Sequence, residues 1–150
     1  AIVTCMDTRL IELLPAALGI KNGDAKIIKN AGGVITHPFG SVVRSLLIAI
    51  YELGVEEILV IGHTDCGVQH MDAENLLENM RKRGISNNAI ESLRYCGIDF
   101  DRWLEGFDDG CVSVAKSVEL LKKHPLIPKD VRIYGFMMDS TSGKLSSVSE

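Results

Sequence analysis

Two short segments of the sequence contain side chains that commonly bind metal ions. Cys5 begins the run CMDTR, and His63 and Cys66 lie three positions apart in the run GHTDCG. Two thiolates and one imidazole are a donor set that suits Zn²⁺, and three protein ligands leave a fourth coordination position for water or a substrate. Any one of these residues alone is more often a small buried side chain or a loop histidine. Their combination predicts a catalytic zinc site with one ion per chain.

The fold must bring these two segments together. Each segment follows an apolar run typical of a buried strand, Ala1–Cys5 in the first case and Ile58–Ile61 in the second. In an open parallel sheet, ligand sites lie outside the carboxyl ends of the strands, at the point where the strand order reverses. If the first and third strands are neighbours at that point, Cys5 converges on His63 and Cys66.

Strand-like and helix-like segments alternate along the rest of the chain. Further strands are predicted at Lys26–Lys29, Val131–Met138 and, as a fifth strand, Lys144–Val148; helices are predicted at Leu10–Leu18, Ser41–Leu53, Asp72–Arg83 and Cys111–Lys123, with short helices and loops over Ile85–Gly110. This alternation indicates βαβ units. We therefore expect one α/β domain over residues 1–150, with a mostly parallel sheet of four to five strands and helices on both faces.

Composition argues against several classes of function. The net charge of −4, without a basic stripe, argues against nucleic acid as a main partner. No run of about 18 apolar residues is present, so no membrane partner is expected. The four cysteines are expected as thiols or metal ligands rather than disulfides, which favours a cytoplasmic protein. Because the sequence opens without Met, we expect the natural chain to begin before Ala1.

The sequence resembles the β-class carbonic anhydrases, in particular their small archaeal and bacterial branch. The zinc signature of that family is Cys-x-Asp-x-Arg followed by His-x-x-Cys, and both halves are present without gaps, at Cys5–Arg9 and His63–Cys66. The run Gly62–Gly67 is especially similar to that branch. The resemblance extends from Ala1 to about Val148. Family members carry an N-terminal helical arm that wraps a partner subunit, and we expect the present sequence to lack it.

The resemblance implies zinc-dependent, reversible hydration of carbon dioxide to bicarbonate and a proton. Cys5, His63 and Cys66 would bind the zinc ion, which lowers the pKa of its bound water and produces a hydroxide nucleophile. Asp7 would accept a hydrogen bond from that hydroxide. Arg9 would pair with Asp7 and keep it ionised and turned away from the metal. The alternative for this pair is an exposed ion pair worth less than about 1 kcal/mol.

Several other polar residues have two interpretations each. Gly32 and Gly33 form either a tight turn beside the metal or a backbone surface that admits a small substrate. His37 and His70 follow the site loops and are candidates for a proton relay, with plain surface histidines as the alternative. His124 follows a predicted helix away from the motifs and is expected at the surface.

Two other functions stay open. Enzymes of the same family that hydrolyse carbon disulfide or carbonyl sulfide keep the same zinc ligands, so the ligand motif does not separate them from carbonic anhydrases. A non-catalytic zinc-binding domain is the second alternative. The pair Asp7 and Arg9 argues against it, because a structural zinc ion takes four protein ligands and needs no such pair.

The resemblance also implies a homodimer or a dimer-based oligomer in which the second subunit supplies part of the pocket wall. The predicted helix Ser41–Leu53 is apolar around more than one face, which supports burial on two sides. The alternative is a central helix in the core of a single domain.

Overall fold

The computed structural model describes residues 1–148. The elements are β1 (Ile2–Cys5), α1 (Leu10–Leu18), β2 (Ile27–Asn30), α2 (Ser41–Tyr51), β3 (Glu57–His63), α3 (Ala73–Lys82), α4 (Asn87–Tyr95), α5 (Phe100–Leu104), α6 (Gly110–Lys123), β4 (Arg132–Met138) and β5 (Leu145–Ser147), with a short 3₁₀ turn at Ala31–Gly33. The α/β fold predicted from the alternation of strands and helices is confirmed.

The strands of the described chain form one sheet in the order β2-β1-β3-β4-β5. β1 pairs in parallel with both β2 and β3, β3 pairs in parallel with β4, and β5 is antiparallel to β4. The strand order therefore reverses between β1 and β3, where ligand sites form in such sheets. Thr4 pairs with Ile61 across this boundary, so the carboxyl ends of the two strands lie side by side. The prediction that the first and third strands are neighbours is confirmed.

The chain divides into two compact units. Among the described residues, 1–67 and 109–148 form the unit that contains the sheet, α1, α2 and α6. Both faces of its central strands are buried, as Ile2–Val3 and Val60–Ile61 show, in agreement with helices on both faces. One core cluster joins strand residues to α2 and α6. Its buried members are Val3, Ile58, Val60, Ile133, Val43, Leu46, Ile50, Val114, Val118, Leu121, Ile35 and Ile127. This packing anchors the strand ends that carry the predicted ligands.

The second unit, residues 68–108, contains α3, α4 and α5. Each of these helices begins after a residue whose side chain accepts a hydrogen bond from a backbone N–H three positions later, namely Asp72, Ser86 and Asp99. A small core of Leu77, Ile90 and Phe100 holds the helices together. The prediction of short helices over Ile85–Gly110 is confirmed. Within residues 1–148, none of the helices combines the length and apolar character needed to cross a bilayer.

The end of α2 differs from the sequence prediction. The helix begins at Ser41 as expected but ends at Tyr51, and Gly54 adopts a φ of +66° that turns the chain away. Leu53 therefore lies beyond the last helical residue and is 55% exposed. The prediction that the helix extends to Leu53 is wrong, because the apolar periodicity continues to Leu53 whereas the helix ends at Tyr51.

Candidate metal centre

The structure brings Cys5, His63 and Cys66 together at the carboxyl ends of β1 and β3. All three side chains are buried, and their candidate ligand atoms lie within 4.8 Å of one another. Cys5 ends β1 and His63 ends β3. Just before these residues, Thr4 Oγ1 donates a hydrogen bond of 2.8 Å to the Ile61 carbonyl, which connects the two strands. Strand pairing therefore brings the first predicted ligand to the other two.

A tight turn after β3 places Cys66. The Thr64 N–H donates to the Met138 carbonyl at 2.9 Å, which fixes the start of the turn to the end of β4. Asp65 adopts a φ of +53°, which is uncommon outside glycine but is one of the conformations that Asp tolerates. The turn explains how a spacing of three positions presents His63 and Cys66 to one ion.

The distance between the two sulfur atoms fits metal coordination. The Sγ atoms of Cys5 and Cys66 are 3.8 Å apart. A disulfide bond is only about 2.05 Å long, so this pair is not cross-linked. Two thiolates bound to a tetrahedral zinc ion at about 2.3 Å lie about 3.8 Å from each other. The sulfur pair therefore has the separation that such an ion requires.

His63 presents a buried nitrogen to the same space. Its Nδ1–H donates to the Thr64 carbonyl at 2.8 Å, which leaves the lone pair on Nε2. Nε2 is buried and has no hydrogen-bond partner among the described residues. A buried acceptor without a partner is costly unless a ligand completes it. The second hydrogen bond of the ring also orients it, as is usual for histidines that bind metals. The three residues thus fit a metal ion.

Asp7 and Arg9 form a close pair beside these ligands. The Arg9 guanidinium donates from Nε to Asp7 Oδ1 at 3.0 Å and from Nη2 to Oδ2 at 2.9 Å, and the Arg9 backbone N–H donates to Oδ1 at 2.9 Å. These bonds lower the pKa of Asp7 to about 2, and the side-chain bonds of Arg9 contribute more to this shift than its backbone bond. Asp7 Oδ2 lies 4.0 Å from His63 Nε2. An ionised carboxylate is therefore held next to the ligand cluster.

Two further acceptors hold the guanidinium on its other sides. Arg9 Nη2 donates to the Asp65 carbonyl at 2.8 Å, and Nη1 donates to Ser140 Oγ at 3.3 Å. Ser140 was missed by the sequence reasoning. It lies in a run of small polar residues after β4 that is typical of a turn, and only the tertiary structure brings it to Arg9.

Gly33 packs directly against the strand that carries Cys5. Gly32 and Gly33 are buried and adopt φ values of +80° and +65°. A Cβ added to Gly33 would lie 2.9 Å from the backbone nitrogen of Cys5 and 2.9 Å from the carbonyl carbon of Thr4. A side chain at this position would displace the end of β1. The close approach supports the tight-turn interpretation, and contact with a substrate stays a prediction.

Two candidate relay histidines are exposed. His37 accepts a hydrogen bond at Nδ1 from the Phe39 N–H at 3.0 Å. His70 lies in the second unit, with Nδ1 3.2 Å from Asp108 Oδ1. Their relay role stays a prediction.

The remaining cysteines, Cys96 and Cys111, are exposed.

The expectation for His124 is wrong. Its side chain is 3% exposed, Nε2–H donates to the Pro38 carbonyl at 2.8 Å, and Nδ1 accepts from the Leu126 N–H at 3.2 Å. Its position at a helix end indicated a surface residue, but the loop before α2 covers it. A contact between residues so distant in sequence leaves no local signal.

Comparisons with known proteins agree with this geometry. A family model described as carbonic anhydrase matches residues 1–145. The Bacillus subtilis protein YtiB, whose name proposes carbonic anhydrase activity, is 49% identical over 148 residues, which are 99% of this chain and 79% of YtiB. The crystal structure of the β-carbonic anhydrase TvaCA1 from Trichomonas vaginalis superposes with a TM-score of 0.90 at 39% identity, covering 98% of this chain and 80% of that one. The chain belongs to the β-carbonic anhydrase family.

A relative with another activity also matches nearly the whole chain. The carbon disulfide hydrolase of Saccharolobus solfataricus is 36% identical over 156 aligned positions, which cover 96% of this chain and 74% of the hydrolase. The two activities therefore occur within one group of related sequences, as the resemblance in sequence implied.

Proposed function

We propose that this protein is a single zinc-dependent domain that catalyses the reversible hydration of carbon dioxide to bicarbonate and a proton. The observation that carries the proposal is the buried cluster of Cys5, His63 and Cys66 with an ionised Asp7 held beside it by Arg9. One zinc ion, bound by the two thiolates and the imidazole, would activate a water molecule as a nucleophile. Membership of the carbonic anhydrase family supports this reaction.

Asp7 is the residue that orients the nucleophile in this proposal. A carboxylate has about four lone-pair positions. Arg9 occupies two on Oδ1, through its backbone N–H and Nε, and one on Oδ2, through Nη2. Oδ2 therefore retains one acceptor position, and it is also the oxygen that lies 4.0 Å from the nitrogen of His63. We assign to Oδ2 the hydrogen bond that directs the lone pair of the nucleophile toward carbon dioxide.

Arg9 has two functions in this scheme. Its hydrogen bonds keep the pKa of Asp7 at about 2, so the carboxylate accepts rather than donates across the whole physiological pH range. They also hold both oxygens in a fixed plane, so that the carboxylate stays beside the metal ligands and does not bind the ion itself. Gly32 and Gly33 are proposed to form the backbone wall along which a small linear substrate enters.

Carbon disulfide hydrolysis is the second candidate, because the Saccharolobus relative carries that name. Carbon dioxide is preferred as the substrate because the relative at 49% identity has a carbonic anhydrase name, whereas the carbon disulfide hydrolase is 36% identical. A non-catalytic zinc domain agrees poorly with three ligands and an adjacent Asp7–Arg9 pair. The two substrates are separated by measuring both reactions on one zinc-loaded sample.

We further propose a homodimer, or an oligomer built from dimers, in the cytoplasm. α2 buries Leu46 while leaving Ile48 and Tyr51 exposed, and β2 forms an exposed edge of the sheet. Apolar side chains on a second helix face and an open strand edge are both suited to a two-fold interface. Among the described cysteines there is no disulfide, which supports a reducing compartment.

The proposal is tested by measuring zinc per chain and carbon dioxide hydration on the same sample. The wild-type protein is expected to bind one zinc ion per chain and to hydrate carbon dioxide in a stopped-flow indicator assay. Cys66→Ser should lose most of the zinc and the activity, and should be less stable, because metal binding contributes to folding. Cys111→Ser, which changes an exposed cysteine, should retain both. Zinc retained by Cys66→Ser, or a zinc-loaded wild type without hydration activity, would contradict the proposal.

A further inference from the structure

Ser140 connects the Asp7–Arg9 pair to the turn that carries the ligands. Its side chain is almost fully buried two residues after β4, and its Oγ accepts a hydrogen bond from Arg9 Nη1 at 3.3 Å. Its backbone N–H donates to Thr64 Oγ1 at 3.0 Å, and the two hydroxyl oxygens are 3.1 Å apart. Thr64 is the residue whose carbonyl accepts the Nδ1–H of His63. The guanidinium and the imidazole ligand are therefore both hydrogen-bonded to groups that meet at Thr64, the first through Ser140 and the Thr64 side chain and the second through the Thr64 backbone carbonyl.

The donors and acceptors of this set are mutually consistent. Thr64 Oγ1 accepts from the Ser140 N–H, and one of the two hydroxyl groups donates to the other. If Ser140 Oγ donates, it keeps two lone pairs; if it accepts, it keeps one. In either arrangement Ser140 retains an acceptor position for Arg9 Nη1. The contact with the guanidinium therefore does not depend on which hydroxyl carries the shared hydrogen.

Arg9 needs such support because it is not buried. Its side chain is 45% exposed, and ion pairs at that exposure are weakly held against water. The contacts with Asp7 and with the Asp65 carbonyl use Nε and Nη2. They leave the Nη1 side of the guanidinium to Ser140, which is the buried contact among the three. Without that contact, the guanidinium would be held only by Asp7, whose own position depends on Arg9, and by the Asp65 carbonyl.

We propose that Ser140, with Thr64, is a positioning residue that holds the Arg9 guanidinium in the plane in which it pairs with both oxygens of Asp7. The proposal rests on the function assigned to the Asp7–Arg9 pair, since Ser140 would affect the reaction by holding Arg9 in that pair. Ser140 contacts neither the substrate nor the metal in this scheme. Its effect on the reaction passes through Arg9 alone.

The first experiment measures Arg9 directly. The Nε–Hε signal of Arg9 is assigned in the zinc-loaded, ¹⁵N-labelled protein by its absence from Arg9→Ala, and its heteronuclear NOE reports how rigid the side chain is. Ser140→Ala should lower that NOE, and Ser140→Thr, which keeps the hydroxyl, should restore it. Thr64→Val should lower it as well while leaving the backbone acceptor of His63 in place. An Arg9 signal in Ser140→Ala that is as rigid as in the wild type overturns the proposal.

The second experiment is a double-mutant cycle in kcat/KM. Ser140→Ala is expected to reduce kcat/KM by about tenfold, as for other residues that orient a functional group through a hydrogen bond without contacting the substrate. The zinc content should stay at one ion per chain. In the Arg9→Ala background the same substitution should have no further effect, because the residue through which it acts is already gone. An equal loss in both backgrounds overturns the proposal.

A buried serine elsewhere serves as the control for a general structural effect. Ser117 is also nearly fully buried, and its Oγ accepts a backbone N–H, that of Ile35, at the same distance of 3.3 Å. Ser117→Ala should lower the melting temperature by an amount similar to Ser140→Ala while leaving the Arg9 signal and kcat/KM unchanged. If Ser117→Ala loosens Arg9 to the same extent, the effect is structural and the proposal falls. Full activity in Arg9→Ala, by contrast, contradicts the proposed function while the Arg9 signal still decides the role of Ser140.

Discussion

The substitution Asp7→Asn separates orientation of the nucleophile from metal binding. Asn has one acceptor oxygen, with two lone pairs, in place of the four positions of a carboxylate. Arg9 directs three N–H groups at this side chain. The backbone N–H and Nε of Arg9 occupy both lone pairs of the remaining oxygen, and Nη2 then faces an amide group that cannot accept. No acceptor position is left for the nucleophile.

The expected result is a large loss of rate with the metal retained. We expect kcat/KM for carbon dioxide hydration to fall roughly ten- to a thousandfold, the range for loss of one positioned proton acceptor. Zinc content should stay near one per chain, because Asp7 is bound to Arg9 and is not among the clustered ligands. The rate is measured by stopped flow with a pH indicator and the zinc by elemental analysis. Asp24→Asn, which changes a carboxylate that accepts the Lys21 N–H at 2.8 Å, should alter neither quantity.

The pH dependence gives a second observable for the same substitution. The folded-state pKa of Asp7, at about 2, lies below the ordinary value of about 3.9. The stabilising effect of the ionised form is therefore complete above the ordinary value and is lost only as the pH falls through about 2. Asp7→Asn should lower the activity plateau, and because Asp7 is already ionised above pH 5, its own titration contributes no midpoint there to the wild-type profile. Unchanged kcat/KM would refute the orienting role, and loss of zinc would make Asp7 a ligand of the resting enzyme.

Two further outcomes are expected. Gly33→Ala should lower the free energy of unfolding by clearly more than the cost of a positive φ alone, which is about 1–2 kcal/mol, because its Cβ would lie 2.9 Å from backbone atoms of Cys5 and Thr4. Gly19 has a φ of +66° and no atom within 4 Å of an added Cβ, so Gly19→Ala should cost only the free energy of the positive φ. Chemical denaturation measures both losses. Analytical ultracentrifugation at micromolar concentration should show a dimer, and a species of 16.4 kDa with full zinc and full activity would contradict the assembly proposal.

The secondary structure was largely predictable because its signals are local. Apolar periodicity identified α1 over Leu10–Leu18, and the helix ends at Gly19, whose φ of +66° is the conformation that glycine commonly adopts after a helix. The capping side chain of Asp72 acts on a backbone group three positions away and is likewise visible in the sequence. The error at Leu53 arose because the apolar periodicity continues for two residues beyond Tyr51, where the helix ends ahead of the turn at Gly54.

The metal-binding cluster could be predicted only in part from local sequence. The identity of the ligands, two thiols and an imidazole, is chemical information that the motifs around Cys5 and His63 contain directly. Their convergence required the assumption that the first and third strands are neighbours. That assumption is a rule of parallel α/β sheets rather than a property of the residues themselves, and the register of Thr4 against Ile61 shows that it holds here.

The sequence alone determined which side chains can hold a metal ion and where most helices and strands lie, to within one or two residues at each end. Ligand chemistry, capping and periodicity all depend on residues a few positions apart. Only the tertiary structure decided that Ser140 reaches Arg9, that His124 is buried beneath Pro38, and that Gly33 lies against the end of β1. Each of these contacts joins segments that are brought together by strand register and helix packing. Their energies depend on distances between atoms remote along the chain, and such distances leave no pattern in the local sequence.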